Sequence, residues 1–216
     1  MLIDAFRRIG RIAIDAPVTV LAASPDGYRT RARFHVRRGR GGFFDEGSHH
    51  LCDVRGSRQL SEASAAIVER LVGALGASSP DVDAEIEWVE DVDGRMRIAH
   101  VDTPAAVARP GEAWRIDGLD GLAWTRPAAA GGSGAWGTRR VRDTVTVAGT
   151  ASLVAVEHQA RAFFQGNRYL LQPLVNEVVG RIDGHRVCDL YAGVGLFALA
   201  AAAAGCTVDA VEGHVD

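Results

Sequence analysis

Apolar and polar positions follow two different periods along this chain, and the switches between them lay out its elements. From Ala63 to Leu75 the residues Ile67, Val68, Leu71, Val72 and Leu75 recur at helical spacing, with Ser61 placed as an N-cap and Gly76 as a stop. Around this helix the period is two. Tyr28 to Val36 alternates, Glu85 to Val89 and Met96 to Val101 flank an Asp93-Gly94 turn, and Trp114 to Trp124 reads as a strand broken by two glycines. Ala128 to Gly137, built mainly of Ala, Gly and Ser, reads as a loop, and Thr144 to Val147 and Ser152 to Val156 as two further short strands. The pattern predicts a mostly antiparallel α+β domain over residues 1–160.

From residue 161 the pattern changes. Tyr169 to Ile182 reads as a helix and His185 to Leu190 as a compact apolar strand. A glycine-bearing turn, Tyr191 to Gly195, leads into Leu196 to Ala204, whose alanines favour helix, with Gly205 as its stop. Thr207 to Val211 is a second apolar strand, followed by Glu212. Strand, glycine turn, helix, strand and acid make the opening βαβ unit of a parallel, doubly wound sheet. The expected fold class is therefore an α+β central domain followed, over residues 161–216, by the start of an α/β Rossmann-like domain. Two parallel strands cannot cover both faces of such a sheet. The expectation is a C-terminally incomplete domain that, in isolation, aggregates or is partly disordered from about His185 onward.

Composition narrows the classes. A chain of 216 residues with 47% apolar content buries a core without disulfides, and Cys52, Cys188 and Cys206 form no C-x-x-C pair that would suggest a metal or redox couple. Cys188 and Cys206 read as small core residues, Cys52 as part of a polar loop, and His49-His50 as loop residues without metal-ligand spacing. No apolar run reaches the roughly 18–20 residues of a membrane span, and Asp4 with Arg7, Arg8 and Arg11 is unlike a secretory signal, so the cytoplasm is the expected compartment.

A net charge of −3 argues against indiscriminate nucleic-acid binding, but all 24 basic residues are arginine and their placement is uneven. Arg29, Arg31, Arg33, Arg37, Arg38 and Arg40 fall close together, with no acid between Asp26 and Asp45. Arg29, Arg31 and Arg33 alternate with Thr30 and Ala32. In a strand they would project from one face as a stripe suited to phosphates, or serve only as a solvated face. Arg139, Arg140 and Arg142 are a second place to look.

The stretch Asp189-Leu190-Tyr191-Ala192-Gly193-Val194-Gly195-Leu196-Phe197-Ala198 admits more than one chemistry. It satisfies the dinucleotide pattern G-x-G-x-x-A, with Glu212 placed for ribose hydroxyls. It also fits the first turn of class I methyltransferases. There Asp189 would help hold the amino-acid end of a cationic sulfonium cofactor, whereas a pyrophosphate would be repelled. Gly193 and Gly195 let the backbone approach either ligand. A turn that serves only packing is the third reading.

Phe163-Phe164-Gln165-Gly166-Asn167 precedes this unit. Together with Asp189 to Gly195 it resembles the 5-methyluridine RNA methyltransferase family, which carries F-Q-x-N where its methyltransferase domain begins and D-L-[FY]-x-G-x-G at the first turn. Ser24-Pro25, Gly27-Tyr28-Arg29 and Arg31-Ala32-Arg33 look like the family's central-domain opening, and Gly42-Phe43-Phe44 with Ser48-His49 like its next strand and turn. The likeness covers most of the chain and is thin from about 80 to 140. It implies S-adenosyl-L-methionine as cofactor, with Gln165, Tyr191 and Glu212 lining its site beside Asp189, Gly193 and Gly195. Relatives can have a polar residue where this chain has Leu196, so a side-chain bond from there is lost. The resemblance further implies RNA, transfer or ribosomal, as partner through Arg29, Arg31 and Arg33, and methylation of uridine at carbon 5.

That chemistry needs a thiolate to add at carbon 6 and a base to take the carbon-5 proton. The family places both in the C-terminal part of its methyltransferase domain. No catalytic residue is therefore assigned here, and the chain alone is expected to be inactive. Neither an iron–sulfur cluster nor the RNA-binding β-barrel of many members is expected, and the complete protein is expected to be a monomer. The rival readings are an NAD(P)- or FAD-dependent oxidoreductase using the same turn and a non-catalytic RNA-binding remnant.

Overall fold

The structure, a computed structural model, describes residues 2–15, 17–48, 50–104, 113–130 and 132–213. A helical turn, α1 (Leu2–Ala5), continues as a π-turn at Phe6–Gly10. His49, of the His49-His50 pair, lies outside the described residues.

Among the described residues one sheet holds β1 (Arg31–Arg37), β2 (Arg40–Phe44), β3 (Leu51–Asp53), β4 (Asp83–Glu90), β5 (Arg97–Asp102), β6 (Gly121–Thr125) and β7 (Gly134–Gly137). Their order is β3-β2-β1-β4-β5-β6-β7. Neighbours pair antiparallel except β5 with β6, which run parallel. The long helix α2 (Glu62–Ser78) lies on one face. Ser61 caps it, its Oγ accepting the Ser64 N–H at 3.2 Å, and the helix runs through Gly76 to end at an extended Ser79. Its Val68, Leu71, Val72 and Leu75 pack on Phe34, Val36, Ile86, Trp88 and Val101 from the inward positions of β1, β4 and β5. Each buried aliphatic side chain contributes roughly 1.5–3 kcal/mol. β2 comes so close that a Cβ on Gly41 would sit 2.5 Å from a Val72 methyl.

The other face is polar. β1 offers Arg31, Arg33, His35 and Arg37 there, facing Glu85 and Glu87 of β4 and, beyond them, His100 and Asp102 of β5. Arg33 pairs with Glu87 at 2.6 Å, His35 with Glu85 at 3.5 Å and His100 with Asp102 at 3.4 Å.

Three expectations for this part are corrected. The first strand begins at Arg31 rather than Tyr28, because the Arg29 and Thr30 N–H groups donate to the Gln59 and Gly166 carbonyls and the Tyr28 carbonyl accepts the Arg168 N–H. The expected strand from Trp114 shrinks to β6, since a turn closes between Ile116 and Leu119 and Trp114 instead fills the core, edge-on to Trp124 at 6.1 Å. The supposed loop before Gly137 contains β7, which pairs with β6. Its glycine content concealed a close approach, for a Cβ on the partner Gly121 would lie 1.8 Å from the Thr138 carbonyl oxygen.

The second core belongs to the rest of the chain. β8 (Val141–Thr146) and β9 (Leu153–His158), expected as two short strands, form an antiparallel hairpin of their own, apart from the seven-stranded sheet. Their inner residues Val145, Val154 and Val156 pack with Phe164, with Leu171 and Val175 of α3 (Leu171–Val179), and with Leu196 and Ala200 of α4 (Leu196–Ala203). α3 starts later than the pattern suggested, because Asn167 Oδ1 accepts the N–H groups of Tyr169 and Leu170 and holds them in a turn. β10 (Arg186–Leu190) and β11 (Thr207–Val211) pair in parallel from Arg186↔Thr207 to Leu190↔Val211, with α4 between them in sequence, as the pattern predicted.

Cys188 is exposed, contrary to expectation, because Val187 and Asp189 take the covered side of β10. Cys52 lies in β3 rather than in a loop.

Two buried polar clusters join the cores. Glu90, fully buried at the end of β4, receives Arg168 on one oxygen and Ser64 with Arg97 on the other. Asp143 Oδ2 lies 2.8 Å from His158 Nε2, and Asp143 Oδ1 accepts the Val92 N–H at 2.7 Å. The His158 ring stacks on Phe164 at 3.9 Å.

Candidate functional site

The turn between β10 and α4 gathers five of the residues singled out from the sequence. Tyr191 follows β10 in the left-handed region at φ 60°, a conformation that costs a residue with a Cβ about 1–2 kcal/mol. It leaves its side chain 90% exposed, standing off the fold with nothing packed over it. The next N–H, of Ala192, donates to the Val211 carbonyl at 3.0 Å and ties the turn to the end of β11. Gly193 and Gly195 follow at φ 56° and 82°.

Two carboxylates bracket this turn. Glu212 Oε2 accepts the Gly193 N–H at 2.7 Å. Asp189 Oδ2 accepts the N–H of Ala198, third residue of α4, at 3.0 Å. The Asp189 contact places a negative charge at a helix N-terminus, where the backbone dipoles favour it. The donors that a dinucleotide turn would direct at a pyrophosphate are thus partly taken by carboxylates. The site suits a cation or hydroxyl groups better than a phosphate.

Phe163 runs past the same turn, its carbonyl oxygen 3.6 Å from the position a Cβ on Gly193 would take, and its ring is largely exposed. Gln165 does not join the turn residues in any hydrogen bond. It is half-buried and lines a hollow of about 590 Å³ with Tyr28, Arg29, Arg31, Arg33 and Glu87. The three arginines there are held by the protein itself. Arg29 donates to Gln59 Oε1 at 2.6 Å and lies over the Phe43 ring. Arg31 donates to the carbonyls of Gln159 and Ala160 at 3.2 and 2.6 Å, and burial lowers its pKa below the ordinary guanidinium range while Glu87 opposes that. Arg33 pairs with Glu87.

The buried Glu90–Arg168 cluster was missed in the sequence. Arg168 directly follows Asn167 of the F-Q-x-N element, and that adjacency is the one signal that could have marked it. Among the described residues, no group of His, Cys, Asp and Glu is arranged to hold a metal ion, and no helix is long and apolar enough to cross a membrane.

The strained turn makes a prediction. Gly195→Ala is expected to lower stability by about 1–2 kcal/mol because φ 82° suits glycine. Gly184→Ala, with open space around its Cβ and no positive φ, is expected to be neutral or slightly stabilising. Thermal melting of the two variants side by side checks this.

No family model matches the chain, and no curated protein matches its sequence. Among solved structures it is similar to the tRNA (uracil-54, C5)-methyltransferase of Pyrococcus abyssi, crystallised in complex with S-adenosyl-L-homocysteine. The TM-score is 0.67 at 18% sequence identity. That likeness shows a methyltransferase-like fold. It covers 88% of this chain and 50% of the other, so the chain spans about half the length of that enzyme.

Proposed function

We propose that this chain is the cofactor-binding and RNA-docking part of an S-adenosyl-L-methionine-dependent RNA uridine C5-methyltransferase, in the cytoplasm. Residues 1–160 dock the RNA and 161–216 carry the cofactor turn, with the β8–β9 hairpin of the first packed into the core of the second. The observation that carries this reading is the pair of carboxylates at the glycine turn. Asp189 puts negative charge beside the place where a sulfonium cofactor's ammonium group would lie, and Glu212 offers acceptor oxygen to ribose hydroxyls. Tyr191, exposed on the strained turn, is assigned to cover the bound cofactor, and Gly193 and Gly195 to keep the approach open; the exposure and the positive φ values support this. Gln165, from the neighbouring hollow, is assigned to the edge of the same site. The cofactor supplies an electrophilic methyl group.

None of the three cysteines is assigned as the nucleophile. Cys188 shares its side of β10 with Leu190, opposite Asp189, and Cys206 lies 3.6 Å from the Gly184 carbonyl at the far end of that strand pair. Cys52 is in the other sheet.

Titration calorimetry tests the reading. S-adenosyl-L-homocysteine is expected to bind and NADH to give no heat. Tight NADH binding with no response to S-adenosyl-L-homocysteine would transfer the turn to the oxidoreductase class.

A further inference from the structure

The arginine-rich segment divides into two structurally different halves. Arg29, Arg31 and Arg33 are engaged by protein groups, as described above. Arg37, Arg38 and Arg40 surround the two-residue turn between β1 and β2. Among the described residues, none of these three makes an ion pair or a side-chain hydrogen bond. With His50, Leu51 and Asp83 they line a hollow of about 690 Å³. Asp83 stands opposite Arg37 in the β1–β4 register but does not pair with it.

Two features of this hairpin work against folding. Arg37 and Arg40 are direct cross-strand partners, and like charges placed so repel each other. Arg38 and Gly39 both have positive φ, at 50° and 71°, as the mirror-image two-residue turn requires. The first of those positions suits Asn, Asp or Gly. A long L side chain there is strained, and strain kept without a structural return points to a function. A bound anion would relieve the repulsion and give the exposed Arg38 a partner.

Beside the hollow, His35 stacks on Phe44 at 3.9 Å, and the Arg37 guanidinium carbon lies 5.1 Å from the same ring centre. Guanidinium forks match phosphate oxygens, and a guanidinium–aromatic platform accepts an unstacked base. The hairpin stands about 20 Å along β1 from Arg31, which contacts the segment leading to the cofactor domain. That reach fits an extended polyanion rather than a small one. We propose that the β1–β2 hairpin, through Arg37, Arg38 and Arg40, is a docking site for the phosphate backbone of RNA. This rests on the function proposed above and locates its RNA contact at the hairpin, in addition to or in place of Arg29, Arg31 and Arg33.

The test measures fluorescence anisotropy of a labelled single-stranded RNA against the full chain over a range of salt concentrations. Each lost phosphate contact lowers the slope of log affinity against log salt by roughly 0.7. Arg37→Gln, Arg38→Gln and Arg40→Gln together are expected to lower it by about 2. Arg38→Gly alone is expected to lower it by about 0.7 while raising the melting temperature, because it removes the strain. A fold defect cannot produce that pair of effects. An unchanged slope in the triple variant overturns the proposal, as does poly-glutamate binding as tight as RNA with equal sensitivity to the substitutions. A loss confined to Arg29→Gln, Arg31→Gln and Arg33→Gln returns docking to the neighbouring hollow. S-adenosyl-L-homocysteine binding, measured on every variant, separates failure of the hairpin from failure of the methyltransferase reading.

Discussion

Arg168→Ala is expected to destabilise the chain by about 3–5 kcal/mol, the cost of breaking a buried ion pair from one side. Arg168 reaches from the segment before α3 into the first core, where it bonds Glu90 and, through its other terminal nitrogen, the Val92 carbonyl at 3.0 Å. Glu90 has no exposed surface, and its second oxygen already holds Ser64 and Arg97. Removing Arg168 strands a buried carboxylate oxygen and breaks a link between the two cores. Urea unfolding measures the loss. A cost below about 1 kcal/mol would mean that Arg97 and Ser64 suffice to hold the charge. Replacing Glu90 and Arg168 together by leucine is expected to recover much of the stability, since hydrophobic groups avoid the desolvation that a buried pair must overcome.

The same carboxylate gives a pH dependence with a definite sign. Burial pushes the Glu90 carboxyl above the ordinary value of 4.5, against the downward pull of Ser64, Arg168 and Arg97. Between 4.5 and the raised folded value, the folded chain holds a proton that the unfolded chain has released, so stability falls as pH rises across that interval. Glu69 and Glu157 act oppositely. Their arginine partners, Arg55 and Arg142, lower their pKa, so their contribution is present above 4.5 and is lost on acidification. Glu90→Gln is therefore expected to flatten the decline above pH 4.5 and leave the acid limb in place. Unfolding curves for both proteins over this range provide the comparison.

Glu212→Ala is expected to weaken S-adenosyl-L-homocysteine binding by about 1–3 kcal/mol, roughly 5- to 150-fold, with little change in melting temperature. The carboxylate has two tasks that end together. One oxygen holds the Gly193 N–H at 2.7 Å and so fixes the strained turn, and in the proposed complex the group also accepts the ribose hydroxyls. Its position after β11, at the exposed end of the two-stranded sheet, is the reason little loss of stability is expected. Glu212→Gln keeps an acceptor for Gly193 and is expected to fall between the wild type and alanine. Calorimetry on the three proteins decides, and equal affinity in all of them would remove Glu212 from the cofactor site.

The sequence by itself determined the elements whose signals are local. Helix α2 followed from the spacing of Ile67 to Leu75 and the Ser61 cap, and the β10–α4–β11 unit from an apolar strand, a glycine turn and an alanine run. Those features act within a few residues, so the chain spells them out. The approach of Asp189, Tyr191, Gly193, Gly195 and Glu212 was legible for the same reason, because a parallel βαβ unit brings the ends of its two strands together.

Tertiary structure alone decided what depends on distant partners. β7 is a strand because β6 lies beside it, although Gly134 to Gly137 has little propensity of its own. The β8–β9 hairpin alternates like any half-buried pair, and only packing assigned it to the second core. Cys188 is exposed because α4 covers the side of β10 that carries Asp189. The arginines between 29 and 40 look alike in sequence. Their difference arises where Gln59, Glu87 and the carbonyls of Gln159 and Ala160 meet the first three, while Arg37, Arg38 and Arg40 lie exposed around the β1–β2 turn. A charge reads the same in any string of residues, but its energy is set by what the fold places within a few ångströms of it.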